Sequence, residues 1–167
     1  MSLAPVYNLS KFRSRQLVED GKHYISSGDL ERANEMFRNS ILIDPSAEAY
    51  TYIGWILSLK GQMDEAIEHC EKAIALDPDY GNPYNDIGSY LIQKNKLDEA
   101  IPWLQKAKNV PQYELRHFPY LNLGRIYSAQ GKVDQAIDEF QKALEMVPGH
   151  LEVEKVLEQL LNIKNSQ

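Results

Sequence analysis

Apolar residues recur at helical spacing along most of this chain, and the pattern they form is repeated several times. The clearest copy runs from Gly54 to Pro78. It has an amphipathic segment around Gly54, a second glycine at 61, the run Met63-Asp64-Glu65-Ala66-Ile67, and a terminating Asp77-Pro78. Gly21, Gly54, Gly88 and Gly124 form one column, with spacings of 33, 34 and 36. Ala33, Ala66, Ala100 and Ala136 follow the glycines by 12 positions. Pro45, Pro78 and Pro148 come 12 further on, and Pro111 closes the third copy one residue early.

Each of these punctuating residues has a physical task. A glycine where two helices cross removes the side chain that would hold them apart, at about 1 kcal/mol of helix propensity relative to alanine. The small alanine of the second helix is expected to face it. Proline lacks the amide and the φ freedom to continue a helix, so the chain turns there. The pattern predicts a loose lead-in over residues 1–9 and a helix from about Ser10 to Ser27. A second helix should start after Gly28-Asp29, with Asp29 as N-cap, and end at Asp44-Pro45. Further helices are expected at about 47–60, 63–76, 82–94 and 97–109. Asn82-Pro83 reads as a capping side chain followed by proline at the first helical position. Pro102 falls within or just past a first turn, where few intrahelical bonds are lost.

After Pro148-Gly149, residues Leu151, Val153, Val156, Leu157, Leu160 and Leu161 form a helical stripe with a polar back. This segment either caps the core of the last copy or serves as a dimerisation helix. One copy cannot bury its own apolar face, so the copies must stack.

Read copy by copy, the pattern resembles the tetratricopeptide repeat, with its large apolar residue, Gly, Tyr, Ala, Phe and Pro at fixed offsets. The first copy reads Leu17, Gly21, Tyr24, Ala33, Phe37, Pro45, and the second Tyr50, Ile53, Gly54, Leu57, Ala66, Cys70, Ala73, Pro78. The third reads Tyr84, Ile87, Gly88, Leu91, Ala100, Leu104, Ala107, Pro111, and the fourth Tyr120, Leu123, Gly124, Tyr127, Ala136, Phe140, Ala143, Pro148. About 135 of the 167 residues lie within the match. The resemblance implies an all-α, right-handed α-solenoid of four helix-turn-helix repeats plus a C-terminal capping helix. It would be a single domain over residues 10–167, with repeats at about 14–46, 47–80, 81–114 and 117–150 and the capping helix at about 150–164. Asp20 stands where later copies have Ile53, Ile87 and Leu123, in the column that faces a preceding repeat. The array is therefore expected to start at this first copy.

Composition narrows the function. The length suits one domain with a continuous core, and no apolar run approaches 20 residues, so no membrane insertion is expected. A formal charge of −6 argues against a partner with a nucleic-acid backbone, which calls for a basic stripe. The single Cys70 shares the column of Phe37 and Phe140 and reads as a small core hydrophobe. His23, His69, His117 and His150 are scattered, and neither a phosphate-binding glycine loop nor a nucleophile elbow is present. Asp64-Glu65 and Asp98-Glu99 recur in one repeat column, which marks them as first-turn acids that favour a helix N-terminus. No catalytic, cofactor or metal site is therefore expected, and the absence of a leader pattern makes the cytoplasm the expected address.

The resemblance further implies that first helices line a concave groove, at positions three and two before each glycine and one and four after it. Those positions hold Val18, Glu19, Lys22 and Ile25; Thr51, Tyr52, Trp55 and Ser58; Asn85, Asp86, Ser89 and Ile92; and Leu121, Asn122, Arg125 and Ser128. Tyr52, Trp55 and Leu59 share a face that is not the packing face of Tyr50, Ile53 and Leu57. Exposed aromatics beside Asn and Arg suit a peptide partner; alternatively, neighbouring first helices pack on Trp55. The candidate contact set is Lys22, Tyr52, Trp55, Leu59, Asn85, Ser89, Asn122 and Arg125. Some co-chaperones of the family hold a terminal carboxylate with Lys, Asn, Asn, Lys and Arg. The matching positions here, Val18, Lys22, Tyr52, Asn82 and Asp86 in one register, and Thr51, Trp55, Asp86, Phe118 and Asn122 in the next, agree nowhere.

The expected function is thus a non-catalytic protein or peptide adaptor, as monomer or weak homodimer. The alternative is a structural module assembling through the end helix or the surface near Trp103. Pro111 lies 13 residues before Gly124 where the earlier junctions have 9 and 10, so residues 112–116 are mostly added chain. Either the next helix starts early or a short loop bulges outward. The added chain either covers Trp103 or leaves it as an exposed contact. This junction, with His117-Phe118-Pro119-Tyr120, looks like many bacterial proteins of the family.

Overall fold

The computed structural model describes residues 4–166, which form nine helices and no strand beyond an isolated Tyr80–Gln112 bridge. They are α1 (Ala4–Ser26), α2 (Leu30–Ile43), α3 (Ala47–Leu59), α4 (Met63–Leu76), α5 (Asn82–Gln93), α6 (Leu97–Asn109), α7 (His117–Ala129), α8 (Val133–Met146) and α9 (Leu151–Asn165). From α1 to α8, each odd helix packs most extensively on the even helix that follows, and each pair then packs on the next element. One core runs through the stack from Val18 to Leu160, which makes the fold an all-α solenoid. Odd helices also touch one another, α3 with α5 and α5 with α7, whereas successive even helices do not pack comparably. The stack therefore curves with its odd helices on the inner side.

The glycine column sits where the helices of each pair come nearest. A Cβ on Gly21 would lie 2.6 Å from the Phe37 ring, on Gly88 2.5 Å from the Leu104 side chain, and on Gly124 2.8 Å from the Phe140 ring. On Gly54 it would meet the Ala66 carbonyl oxygen at 3.0 Å and Cys70 Sγ at 3.1 Å. The side chain facing each glycine is thus the one 16 positions later, not the alanine 12 later. The two positions share a helix face one turn apart, and the crossing falls on the later turn. The alanines are fully buried too, and at Gly54 the Ala66 carbonyl oxygen is the nearest atom.

Local signals account for most helix ends. The Asp29 side chain accepts from the Arg32 amide at 3.1 Å, and Ser46 caps α3 by accepting from Ala49 at 3.2 Å. Gly28, Gly61 and Gly131 adopt φ of 81°, 79° and 71° where three of the first helices turn back. Asn95 holds the matching place in the third pair at φ 58°, a conformation asparagine tolerates. Three expectations need correction. Helix α1 begins at Ala4 rather than near Ser10, since no glycine or proline interrupts residues 6–20; residues 1–3 of the expected lead-in lie outside the described residues. Asn82 is helical, with Gly81 as N-cap, so it caps nothing and Pro83 follows inside the first turn. On α9, Val153 and Leu160 are buried and Val156 and Leu157 pack on the core, but Leu151 and Leu161 point outward.

The junction between α6 and α7 neither lengthens α7 nor bulges away. It folds back on the turn before α5: the Gly81 amide donates to Gln112 at 2.9 Å, and the Gln112 amide to Asp79 at 3.1 Å. Tyr113 is buried against Gly81, where a Cβ would collide with it. Arg116 Nη2 donates to the Val110 and Pro111 carbonyls, both at 2.9 Å, and Nη1 donates to Lys108 at 3.1 Å, which closes the C-terminal end of α6. Trp103 is half-buried against the small cluster of Tyr84, Ala107 and Tyr113.

Gly124→Ala should lower stability by about 1–3 kcal/mol in urea unfolding, because the new methyl strikes a ring with no room to move and this outweighs the propensity gain. An unchanged or raised midpoint would show that the crossing tolerates a side chain.

Candidate functional site

The inner side of the solenoid is where side chains of different helix pairs converge. A cavity of about 410 Å³ opens there between α3, α5 and α7. Trp55 and Leu59 come from α3, Asn85 and Ser89 from α5, and Asn122 and Arg125 from α7, so six of the eight expected residues line one space. They meet because each lies on the odd-helix face turned away from the glycine crossing. Asn85 is buried and accepts from Asn122 Nδ2 at 3.1 Å, which ties α5 to α7 across the floor. Asn122 Oδ1 faces Arg125 Nη1 at 3.5 Å, and the guanidinium stays exposed at the rim. Leu59 is 55% exposed at the opposite rim, and Trp55 is half-buried, part wall and part core.

Lys22 and Tyr52 lie outside this cavity. Tyr52 stacks flat on Phe37, with centroids 4.8 Å apart, and lines a neighbouring space of about 650 Å³ with Glu48, Tyr80 and Tyr113. Lys22 is held by Glu19 at 2.8 Å and by Glu48, 6.0 Å from the Tyr52 ring centroid. Partial burial opposes its charge, but the bonds to the two glutamates prevail and raise its pKa. Its ammonium is thus already neutralised by two carboxylates of this chain.

Of the lining residues outside the expected contact set, Asp86, Tyr90 and Tyr113 carry the ionisable groups of the cavity floor. Asp86 stands two before Gly88, in the expected groove list but outside the contact set. Burial pushes its carboxyl up to about 7, against the opposing pull of the Asn85 side chain. Burial first, and the Asp86 charge next, also push up the Tyr90 and Tyr113 hydroxyls. Tyr90 stands two after the glycine, where the other copies have His23, Ile56 and Ile126, so a phenol in a mostly apolar column was its signal. Tyr113 comes from the added chain, whose length was visible but whose fold-back was not.

A stack of helix pairs crossing at glycines, with an open inner wall of odd helices, is a helical repeat solenoid. The chain belongs to the tetratricopeptide repeat family: matches to the tetratricopeptide repeat cover residues 47–80, 82–111 and 117–150. It is 28% identical over 130 residues to the type IV pilus assembly protein PilF of Pseudomonas aeruginosa, covering 77% of this chain and 52% of that protein. It is also 28% identical over 130 residues to the human mitochondrial import receptor subunit TOM70, covering 77% of this chain and 21% of that one. The chain thus spans about half the length of the first relative and a fifth of the second. Among solved structures it resembles that of Pseudomonas aeruginosa PilF with a TM-score of 0.86 and 25% identity, over 94% of this chain and 71% of that one. Among the described residues, no helix is long and apolar enough to cross a membrane.

Asp86 gives the cavity a measurable signature. Its folded pKa lies above that of an unfolded carboxylate, so its contribution to stability is full below about pH 4 and is lost as pH rises through about 7. Asp86→Asn carries no charge at any pH. Its stability relative to wild type should therefore rise between pH 4 and pH 8 by up to about 4 kcal/mol in urea unfolding. A difference that stays flat over that range would mean the carboxylate is well solvated.

Proposed function

We propose that this chain is a non-catalytic adaptor that holds a segment of a partner protein on the inner wall of its solenoid. The observation that carries this reading is the convergence of Trp55, Leu59, Asn85, Ser89, Asn122 and Arg125, from three helix pairs, on one open cavity. An exposed leucine, the outward part of a half-buried indole and an exposed guanidinium stand together on this wall. Large aromatics bury area at low entropy cost, and the Asn and Arg groups add planar hydrogen bonds to a peptide backbone or side chain. Family membership supports the same reading, and the names of two relatives, a pilus assembly protein and an import receptor subunit, concern the handling of other proteins. Lys22 and Tyr52 then form an extension of the groove beyond the main contact.

The reading is tested by affinity capture from the native lysate with wild type, Trp55→Ala and Trp103→Ala in parallel. The expected result is a set of proteins retained by wild type and Trp103→Ala but lost or reduced at least 10-fold with Trp55→Ala, the loss typical of a central anchor. Equal capture by Trp55→Ala and wild type, with both folded by circular dichroism, would remove the groove from the account.

A further inference from the structure

We infer that the cavity between α3, α5 and α7 is built to receive a cationic side chain, lysine or arginine, from a protein partner. This rests on the groove reading above and makes its ligand class specific. Four observations point the same way. Asp86 lies half-buried in the cavity and, among the described residues, takes part in no salt bridge. The Tyr90 hydroxyl, on a residue 3% exposed, is buried there with no well-formed hydrogen bond among the described residues: Ser58 lies within reach of it, but the Ser58 hydroxyl proton goes to the Trp55 carbonyl at 2.7 Å. Trp55, Tyr90, Tyr113 and Phe118 surround the same space, and aromatic faces attract a cation. The one guanidinium of the cavity, Arg125, is turned to Asn122 at the rim and not to Asp86.

Both polar groups on the floor would gain from the same guest. An ammonium or guanidinium gives Asp86 a counter-charge and donates to the orphan phenol oxygen, and each bond is strengthened by charge and by exclusion from water. An apolar side chain would complete the desolvation of both groups and offer neither a partner. A carboxylate would meet Asp86 as a like charge. The surroundings agree in sign: Glu48 and Glu114 line the neighbouring space along the groove, and Lys22 is already paired to Glu48 and to Glu19. The whole chain carries a formal charge of −6.

The test pans the whole chain against a phage-displayed library of random dodecapeptides, with Trp55→Ala, Asp86→Asn and Arg125→Gln in parallel. Selected peptides are resynthesised with a fluorescent label, once as found and once with the lysine or arginine replaced by norleucine or citrulline. Wild type should enrich a lysine or arginine at one recurring position, and neutralising it should weaken binding about 10-fold or more. In Asp86→Asn the same replacement should change affinity little, and Arg125→Gln should keep the preference. Peptides that need Trp55 but show no cationic position, or prefer an acidic one, overturn this inference and leave the groove reading standing. A selection in which no peptide depends on Trp55 overturns both. Neutralisation on the peptide side is read with the wild-type chain, so the result does not hang on the folding of any variant.

Discussion

Each helix pair closes over a glycine, and the side chain standing sixteen residues later decides how near its two helices come. With Phe37, Leu104 and Phe140 in that place, the ring or branched tip fills the room a Cβ would have taken. With Cys70 the gap narrows instead onto the Ala66 carbonyl. The same contact fixes which face of each first helix is used up by its partner. What lies opposite is free of that duty and becomes the inner wall.

The wall acquires its chemistry from departures superposed on the repeat. Trp55, Asp86, Tyr90 and Arg125 differ from one copy to the next, while the glycines and the alanines twelve positions later do not. The added chain after α6 is the largest departure, and it is held firmly. Arg116 gathers three carbonyls, Gln112 pairs with the turn before α5, and Tyr113 lies against Gly81. Its effect is to bring Tyr113, an aromatic residue of a junction, into the groove lining beside the helix residues Trp55, Tyr90 and Phe118.

Much of this was legible before any coordinates. A column of glycines at near-constant spacing names the architecture, because no other local pattern needs to recur in register four times. The helix spans from α3 to α6 lie within a residue of their expectation, since Gly, Asp-Pro and Ser signals act locally. The glycine's true partner was missed because residues 12 and 16 later share one helix face, and only the axial position of the crossing tells them apart. Six of the eight groove residues meet in one cavity, since helical phase alone decides their side. Lys22 and Tyr52 do not, since ion pairs to Glu19 and Glu48 and a stack on Phe37 are contacts between elements that phase does not report. The fold-back of residues 112–116 was hidden for the same reason.

The dependence of the stack on the close crossing is tested most directly by a double-mutant cycle on Gly88 and Leu104. Gly88→Ala alone introduces a clash, and Leu104→Ala alone leaves a cavity. Made together, the new methyl enters the space the leucine vacates. The pair should then be less destabilised than the sum of the singles by about 1 kcal/mol or more in urea unfolding. Additivity to within about 0.5 kcal/mol would mean the two residues do not sense each other, and the crossing would not be what shapes the inner wall.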